Sequence, residues 1–210
     1  MQVDIFSDYI CPWCFLGKHQ WDMSREELSS YTPVVTWRPF QIAPDAPEGG
    51  YDRDSYYKER FPDKVKLTKI TQELLLEAER VGVTLNLERI KKIPDTLKAH
   101  CLALWAHGQG VQDEIVTLLF EAYFQHNLDI SDDMVLARLA GAAGMDEDLV
   151  LELLENKADC DRVHQMVFKA HQMGVRGVPC TLFNGRLAVM GAQSPQAYIT
   201  AARNLASNDV

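Results

Sequence analysis

The chain has 210 residues, 47% of them hydrophobic, and can therefore bury a core without disulfide staples. Its formal net charge of −9 argues against nucleic acid or an anionic membrane as a partner. The sequence has neither a stretch long and apolar enough to span a bilayer nor a basic, apolar leader at its N-terminus. We therefore expect one large globular domain, or a domain with an insertion, located in the cytoplasm unless a leader was removed.

The first predicted elements are a buried strand at residues 3–6 and a helix that includes residues 15–28. Between them a loop leads to Cys11-Pro12-Trp13-Cys14, at a strand-to-helix junction. A helix that begins near Cys11 points free backbone N–H groups at the first thiol, and its dipole favours the thiolate. Cys14 lies one turn further along the same face, so the pair can form a disulfide, with Cys11 exposed and attacking and Cys14 shielded.

Residues around this junction carry further predictions. On the first helix we expect Leu16, Trp21 and Leu28 to be buried and Lys18 and His19 to lie on the solvated face. Asp8 has two interpretations: it accepts a hydrogen bond or a proton near the dithiol, or it forms a turn by bonding to local backbone groups.

A zinc site is the alternative to a redox dithiol, because Cys-x-x-Cys also binds zinc. A structural zinc site usually takes four ligands, often as two closely spaced pairs. The other candidates are Cys160 with His164 and His100 with Cys101, and neither has the spacing of a zinc knuckle. A lone Cys-x-x-Cys at a strand–helix junction is typical of a thioredoxin-like redox motif, so we expect a dithiol with no metal and no cofactor.

The middle of the chain is predicted to be helical. A second strand at residues 34–40 forms a right-handed crossover unit with the first strand and helix, and residues 42–51 have the composition of a loop. From there to about residue 158 no strand is convincing. Predicted helices occupy residues 68–81, 95–109, 111–126, 131–143 with an N-cap-like Ser131, and 146–154. We expect these helices to shape a substrate groove.

The C-terminal part returns to an α/β pattern. A helix at residues 159–173 precedes Gly177-Val178-Pro179 and a strand. Asn184-Gly185 is a strong two-residue hairpin signal, and a returning strand at residues 187–190 follows it. Ser194-Pro195 then opens the last helix, because proline suits the first helical position.

Cys-Pro-Trp-Cys near the N-terminus, Gly-Val-Pro before a late strand, and a closing hairpin and helix together resemble the thioredoxin-like DsbA family. Weaker fragments look like its cytosolic FrnE-like branch: Arg38-Pro39-Phe40, Ala99-His100, Ala122-Tyr123-Phe124 and Gly191-Ala192-Gln193. The resemblance implies an α/β, thioredoxin-like fold with a large all-helical insertion. The thioredoxin-like domain is then discontinuous, at residues 1–42 and 159–210, with the inserted helical domain at 43–158.

The resemblance also implies roles for individual residues. Cys11 is the nucleophile and Cys14 the resolving thiol. Pro12, Trp13, Val178 and Pro179 contact the substrate, and the bond between Val178 and Pro179 is expected to be cis.

Three further cysteines lie outside the motif. We expect Cys101, Cys160 and Cys180 to be reduced, packed thiols, since buried cysteine behaves as a small hydrophobe. Cys180 departs from the family pattern, which has an aromatic or other apolar residue there. The alternative for Cys180 is that it forms mixed disulfides.

The expected function is thiol–disulfide exchange with protein or small-molecule thiols and disulfides, glutathione among them. The alternative is a glutathione-dependent isomerase or transferase of the 2-hydroxychromene-2-carboxylate isomerase or kappa-class type. Those relatives typically place a serine where Cys11 stands and activate bound glutathione, so the presence of both cysteines favours the oxidoreductase. A non-catalytic binding module leaves the dithiol unexplained.

Overall fold

The structure is a computed structural model that describes residues 1–47 and 49–208. Glu48, in the predicted loop and insertion, and Asp209 and Val210, at the end of the predicted 159–210 segment, lie outside the described residues. The elements in chain order are β1 (Gln2–Ser7), α1 (Pro12–Leu28), β2 (Val34–Pro39), β3 (Tyr51–Asp52), α2 (Arg53–Arg60), α3 (Lys64–Arg80), β4 (Lys92–Ile93), α4 (Leu97–Gln109), α5 (Gln112–Phe124), α6 (Asp133–Ala142), α7 (Glu147–Glu155), α8 (Cys160–Gln172), β5 (Cys180–Phe183), β6 (Leu187–Met190) and α9 (Pro195–Asn208).

A mixed sheet in the order β2-β1-β5-β6 organises the fold. β1 and β2 are parallel and joined by α1, which confirms the predicted crossover and places the dithiol just beyond the carboxyl end of β1. β5 runs antiparallel to β1, with Phe6 opposite Cys180, and β6 returns antiparallel to β5. Asn184 and Gly185 both have positive φ, 47° and 68°, as the predicted Asn-Gly hairpin requires.

The two faces of the sheet pack against different helices, because successive strand side chains point to opposite sides. Ile5 joins the large core with Trp21 of α1 and Tyr198 of α9, whose rings are 5.6 Å apart in an edge-to-face arrangement. Phe6 joins a smaller cluster with Ala170 of α8 and Cys180. The architecture is therefore an α/β fold, as predicted, with α2 to α7 inserted in sequence between the β1–α1–β2 unit and α8.

The first helix differs from its prediction at one position. Leu16, Trp21 and Leu28 are buried as expected, but Lys18 is only 3% exposed. Its Nζ lies 2.5 Å from Asp22 Oδ2 and 3.5 Å from an Asp113 carboxylate oxygen contributed by α5. The expectation of a solvated Lys18 is wrong, because α5 covers this side of the helix and supplies a second carboxylate.

The inserted segment contains elements that the sequence did not predict. The strands β3 and β4 pair antiparallel over two residues each, which is too short for a period-two pattern to be visible. α2 was also not predicted. α6 is capped by Asp132, whose side chain accepts from Val135 N, and not by Ser131, whose hydroxyl instead bonds to Asp129.

Within the described part of the chain, none of the helices combines the length and the apolar character that crossing a membrane requires.

Candidate active site

The Cys11–Cys14 motif lies where β1 ends and α1 begins. A turn after Ser7 brings the Cys11 backbone N–H within 3.1 Å of Asp8 O. Cys11 is the N-cap of α1, in an extended conformation, and Pro12 occupies the first helical turn. The backbone N–H of Cys14 donates to Cys11 O over 3.0 Å. The predicted placement of the dithiol at a helix N-terminus is thus confirmed.

The two thiols differ in burial. Cys14 is fully buried and Cys11 is 7% exposed, and both are free thiols. Burial raises the pKa of Cys14 well above its usual value, and the neighbouring Cys11 adds to the rise, while Ser7 and the Asp8 backbone oppose it. Cys14 is shielded as predicted, whereas Cys11 is the more accessible sulfur but is largely covered. The description of Cys11 as exposed was therefore wrong in degree.

The loop before β5 covers Cys11. The Val178–Pro179 peptide bond is cis, as predicted. The thiol of Cys11 is oriented to donate to Val178 O, at 3.8 Å. Pro179 O accepts from Gly191 N over 2.8 Å, which fixes the loop to the end of β6. Two segments that are 167 residues apart in sequence therefore meet at one thiol.

Gly17 is a site residue that the sequence analysis missed. A Cβ built on Gly17 would lie 3.1 Å from Cγ of Pro179, closer than ordinary van der Waals contact. Because Gly17 has no side chain, the ring of Pro179 can pack against α1 beside the dithiol. A glycine inside a predicted helix is a signal for such close approach, because glycine otherwise weakens a helix.

A buried polar pair lies next to the dithiol loop. Asp8 is completely buried, and its Oδ2 accepts from the backbone N–H of Ile42 over 2.7 Å. Its Oδ1 lies 3.4 Å from Nε2 of His100, which is also 3.1 Å from Phe40 O. Asp8 does begin the turn that leads to Cys11, but its side chain does not bond to local backbone groups, since its backbone partner is 34 residues away. His100, which was considered above as a zinc ligand, is buried in the core.

The short helix α2 contributes a second wall of the site. Tyr57 lies close enough to Cys11 for that thiol to contribute to the raised pKa of Tyr57, which is due mainly to burial. The guanidinium of Arg53 lies 4.6 Å from the Tyr57 ring centroid. Both residues line a groove of about 590 Å³ between α2 and α3, which Lys58 and Lys64 also line. This groove belongs to the inserted segment, and its lining carries three positive and two aromatic side chains, together with the acidic Asp54.

The other predicted residues lie in distinct places. Pro12 and Trp13 are partly exposed at the start of α1. Cys180 is buried in the small cluster with Phe6 and Phe40, and burial raises the pKa of its thiol. Cys180 is therefore a packed strand residue, as expected.

The cysteines considered for zinc binding come together only in part. Cys101 and Cys160 lie with their Sγ atoms 3.6 Å apart, although the sequence paired each of them with a histidine. In the described ranges, His, Cys, Asp and Glu side chains nowhere form a group of three or more that could hold a metal ion.

Comparison with known proteins identifies the family. Residues 2–201 match the family described as a DSBA-like thioredoxin domain. A relative is the uncharacterized protein YwbO of Bacillus subtilis, which is 25% identical over 199 residues and 94% of each chain.

Solved structures show the same fold. A probable DsbA oxidoreductase of Streptomyces coelicolor, SCO1869, has a TM-score of 0.86 and 24% identity over 97% of this chain and 89% of that one. A 2-hydroxychromene-2-carboxylate isomerase has a TM-score of 0.73 and 17% identity over 100% and 98% of the two chains. The cytosolic disulfide reductase DsbM of Pseudomonas aeruginosa, with GSH, has a TM-score of 0.65 and 13% identity over 99% and 98%.

Proposed function

Because the chain belongs to the family of DSBA-like thioredoxin domains, we propose that it is a thiol–disulfide oxidoreductase in which Cys11 is the nucleophile and Cys14 the resolving thiol. The observation that carries the proposal is the arrangement around Cys11. The thiol sits at the N-cap of α1, next to cis Val178–Pro179, with Cys14 buried one turn behind it. A thiolate at a helix N-terminus is favoured by free backbone N–H groups and by the helix dipole.

The exchange proceeds in two displacements. The Cys11 thiolate attacks one sulfur of a substrate disulfide, so that a Cys11–substrate disulfide forms and the other substrate sulfur leaves as a thiolate. Cys14 then loses its proton and attacks Cys11 Sγ, which releases the second substrate thiol and leaves a Cys11–Cys14 disulfide. An external dithiol or two external thiols restore the reduced pair. The reverse sequence oxidises substrate thiols, and the reduction potential relative to the partner sets the net direction.

The surrounding residues support these steps in different ways. Val178 and Pro179 hold a substrate segment beside Cys11, and Pro12 and Trp13 contact it from the partly exposed start of α1. The Asp8 carboxylate, buried in the turn before the motif, accepts from the Ile42 backbone N–H and so holds that turn in place. Burial raises the pKa of Cys14, so this thiol keeps its proton until the resolving step, which needs the thiolate.

The partners that we propose are thiols and disulfides of proteins or small molecules, with glutathione as the small-molecule candidate. Arg53, Lys58 and Lys64 around the groove beside Tyr57 suit the carboxylates of such a peptide. The DsbM structure with GSH, which has the same fold, supports this choice. DsbM is described as cytosolic, and we likewise place this protein in the cytoplasm, as a FrnE-like member of the family.

Trapping the mixed disulfide tests the mechanism. Cys14→Ala should accumulate a covalent adduct with a disulfide substrate on a non-reducing gel, and dithiothreitol should release it. Cys11→Ser is the matched control and should form no adduct at the Cys-x-x-Cys motif, as peptide mapping of the adduct would show, since Cys14, the remaining thiol of the motif, is fully buried. Adducts with Cys11→Ser and none with Cys14→Ala would reverse the assigned roles.

The second candidate function is a glutathione-dependent isomerase or transferase. It is favoured by the similarity to the 2-hydroxychromene-2-carboxylate isomerase over essentially the whole of both chains. In that case the reacting thiol belongs to bound glutathione, and Cys14 has no chemical role. Full activity of Cys14→Ala in the presence of glutathione would therefore support this function and contradict the dithiol mechanism.

A further inference from the structure

Cys101 and Cys160 face each other across the contact between α4 and α8. Their Sγ atoms are 3.6 Å apart, although the residues are separated by 59 positions in the sequence, and both are free thiols. Neither takes part in the exchange proposed for Cys11 and Cys14. We propose that Cys101 and Cys160 are a second redox-active dithiol, which a small-molecule disulfide such as glutathione disulfide converts into a disulfide joining α4 to α8.

Helix packing holds the two sulfurs together. Cys160, Val163 and Val167 lie on one face of α8, and Val163 and Val167 are 0% and 8% exposed. They form an apolar cluster with Cys101, and Leu97 and other residues of α4 pack against it. The separation of the sulfurs is thus set by two packed helices and not by a flexible loop. A disulfide is about 2.05 Å long, so side-chain rotation and a small approach can close the pair.

The turn before α8 fixes the position of Cys160 independently. Asp159 has a φ of 59°, in the left-handed region, and directly precedes the first residue of α8. Its Oδ2 accepts from Nε1 of Trp105 over 2.9 Å. Trp105 lies one helical turn after Cys101 on α4, so a hydrogen bond already links the same two helices beside the thiols. The backbone N–H of Cys160 also donates to Lys157 O over 3.3 Å.

The pair is asymmetric in the manner that stepwise exchange requires. Cys160 is partly exposed, whereas Cys101 is 1% exposed. Burial raises the pKa of Cys101, and the neighbouring Cys160 and Asp159 add to the rise. Cys160 is therefore the thiol that an outside disulfide can reach, and Cys101 is the one that resolves the product.

The reaction balances without any further reagent. The Cys160 thiolate attacks one sulfur of glutathione disulfide, which forms a Cys160–glutathione disulfide and releases one glutathione thiolate. Cys101 gives up its proton and attacks Cys160 Sγ, which forms the Cys101–Cys160 disulfide and releases a second glutathione. One disulfide is thereby reduced to two thiols, and two protein thiols are oxidised to one disulfide.

The experiment removes the active-site thiols, so that the second pair is tested by itself. The reduced Cys11→Ser/Cys14→Ser double variant is incubated with glutathione disulfide, quenched by alkylation under denaturing conditions, and mapped by peptide mass spectrometry. We expect a peptide cross-linked between Cys101 and Cys160 and the loss of two alkylatable thiols, with Cys180 still alkylated. Because the active-site thiols are absent, failure of the function proposed for them does not affect this result.

Single changes in the same background define the order of attack. In the Cys160→Ser variant both remaining thiols, Cys101 and Cys180, should still be alkylated. In the Cys101→Ala variant the reaction should stop at a glutathione adduct on Cys160. The parent chain is mapped in parallel, so that the test does not depend on the folding of the variants. The proposal would be overturned if, in the parent, Cys101 and Cys160 were still free to be alkylated after Cys11 and Cys14 had become fully oxidised. A cross-link that forms in the parent but never in the folded double variant would also overturn it, since the oxidant would then be the active-site disulfide.

Discussion

The two thiol pairs of this molecule lie in different structural settings. Cys11 and Cys14 belong to one turn at the start of α1, and Cys11 faces the loop that carries Val178. Cys101 and Cys160 belong to two helices that pack through an apolar cluster. In each pair one sulfur is more accessible, and burial raises the pKa of the other thiol. The chemical asymmetry is therefore the same, and what differs is the length of chain between the sulfurs.

That difference has consequences for the fold. Closing a disulfide within one helical turn restrains the unfolded chain by only about 2 kcal/mol, so the cycling proposed for the first pair changes stability less. Closing a loop across 59 positions restrains the unfolded chain strongly. The first pair is thus suited to repeated turnover, and the second to changing how firmly α4 and α8 are held together.

The largest expected effect concerns turnover. Cys14→Ala should slow steady-state reduction of a protein disulfide by about 10³-fold or more, because external thiols must replace a resolving thiol of high effective concentration. Cys160→Ala is the control and should keep turnover close to the parent value. An equal loss of rate in Cys160→Ala would remove the functional distinction between the two pairs.

Oxidation of the second pair should stabilise the fold by at most about 4 kcal/mol, as expected for closure of a loop of this length. Urea unfolding of the Cys11→Ser/Cys14→Ser variant, before and after treatment with glutathione disulfide, measures the gain. The same variant with Cys160→Ser added should show no gain. An unchanged unfolding midpoint despite a mapped cross-link would mean that the bond strains the folded state by as much as it restrains the unfolded chain.

Substitution of Gly17 should destabilise the protein at the contact between α1 and Pro179, beside the first pair, and leave the second pair in place. Gly17→Val forces a side chain against Pro179, and overpacking of this kind costs about 2 kcal/mol. Gly108→Val is the matched control, since Gly108 is also helical and its Cβ would meet no atom within 4 Å. Chemical unfolding should show the difference between the two variants. Equal destabilisation would indicate that helix propensity alone is responsible.

The smallest expected effect is a change in the pH dependence of stability. Above about pH 8.5 the unfolded chain releases the proton of Cys14, whereas the folded chain keeps it because burial raises its pKa. Stability of the reduced protein therefore falls as pH rises, by at most about 1.4 kcal/mol per pH unit for each such thiol. Unfolding at about pH 8 and about pH 9.5 should show a smaller fall in Cys14→Ala, and in Cys101→Ala, than in the parent. An identical fall in all three would contradict the burial argument.

Much of the site could be predicted because its parts depend on short stretches of sequence. Pro12 after Cys11 indicates the start of a helix, and the alternation before it indicates a buried strand. The proline of Gly-Val-Pro before a strand made the cis bond before Pro179 an expectation through a family resemblance. The division into segments 1–42, 43–158 and 159–210 stays a prediction, as do the roles of the site residues.

The sequence by itself determined the elements around the dithiol and, apart from α2, β3 and β4, the order of strands and helices along the chain, since helical and strand periods and turn residues act over a few neighbouring positions. Only the tertiary structure decided that Lys18 is buried against α5, that Asp8 faces His100, and that Cys101 meets Cys160. These contacts join residues that are tens of positions apart, and helix and strand periods do not encode which distant faces pack together. A lysine, an aspartate or a cysteine has the same local pattern whether its partner is water or another helix, so its chemistry was settled by packing.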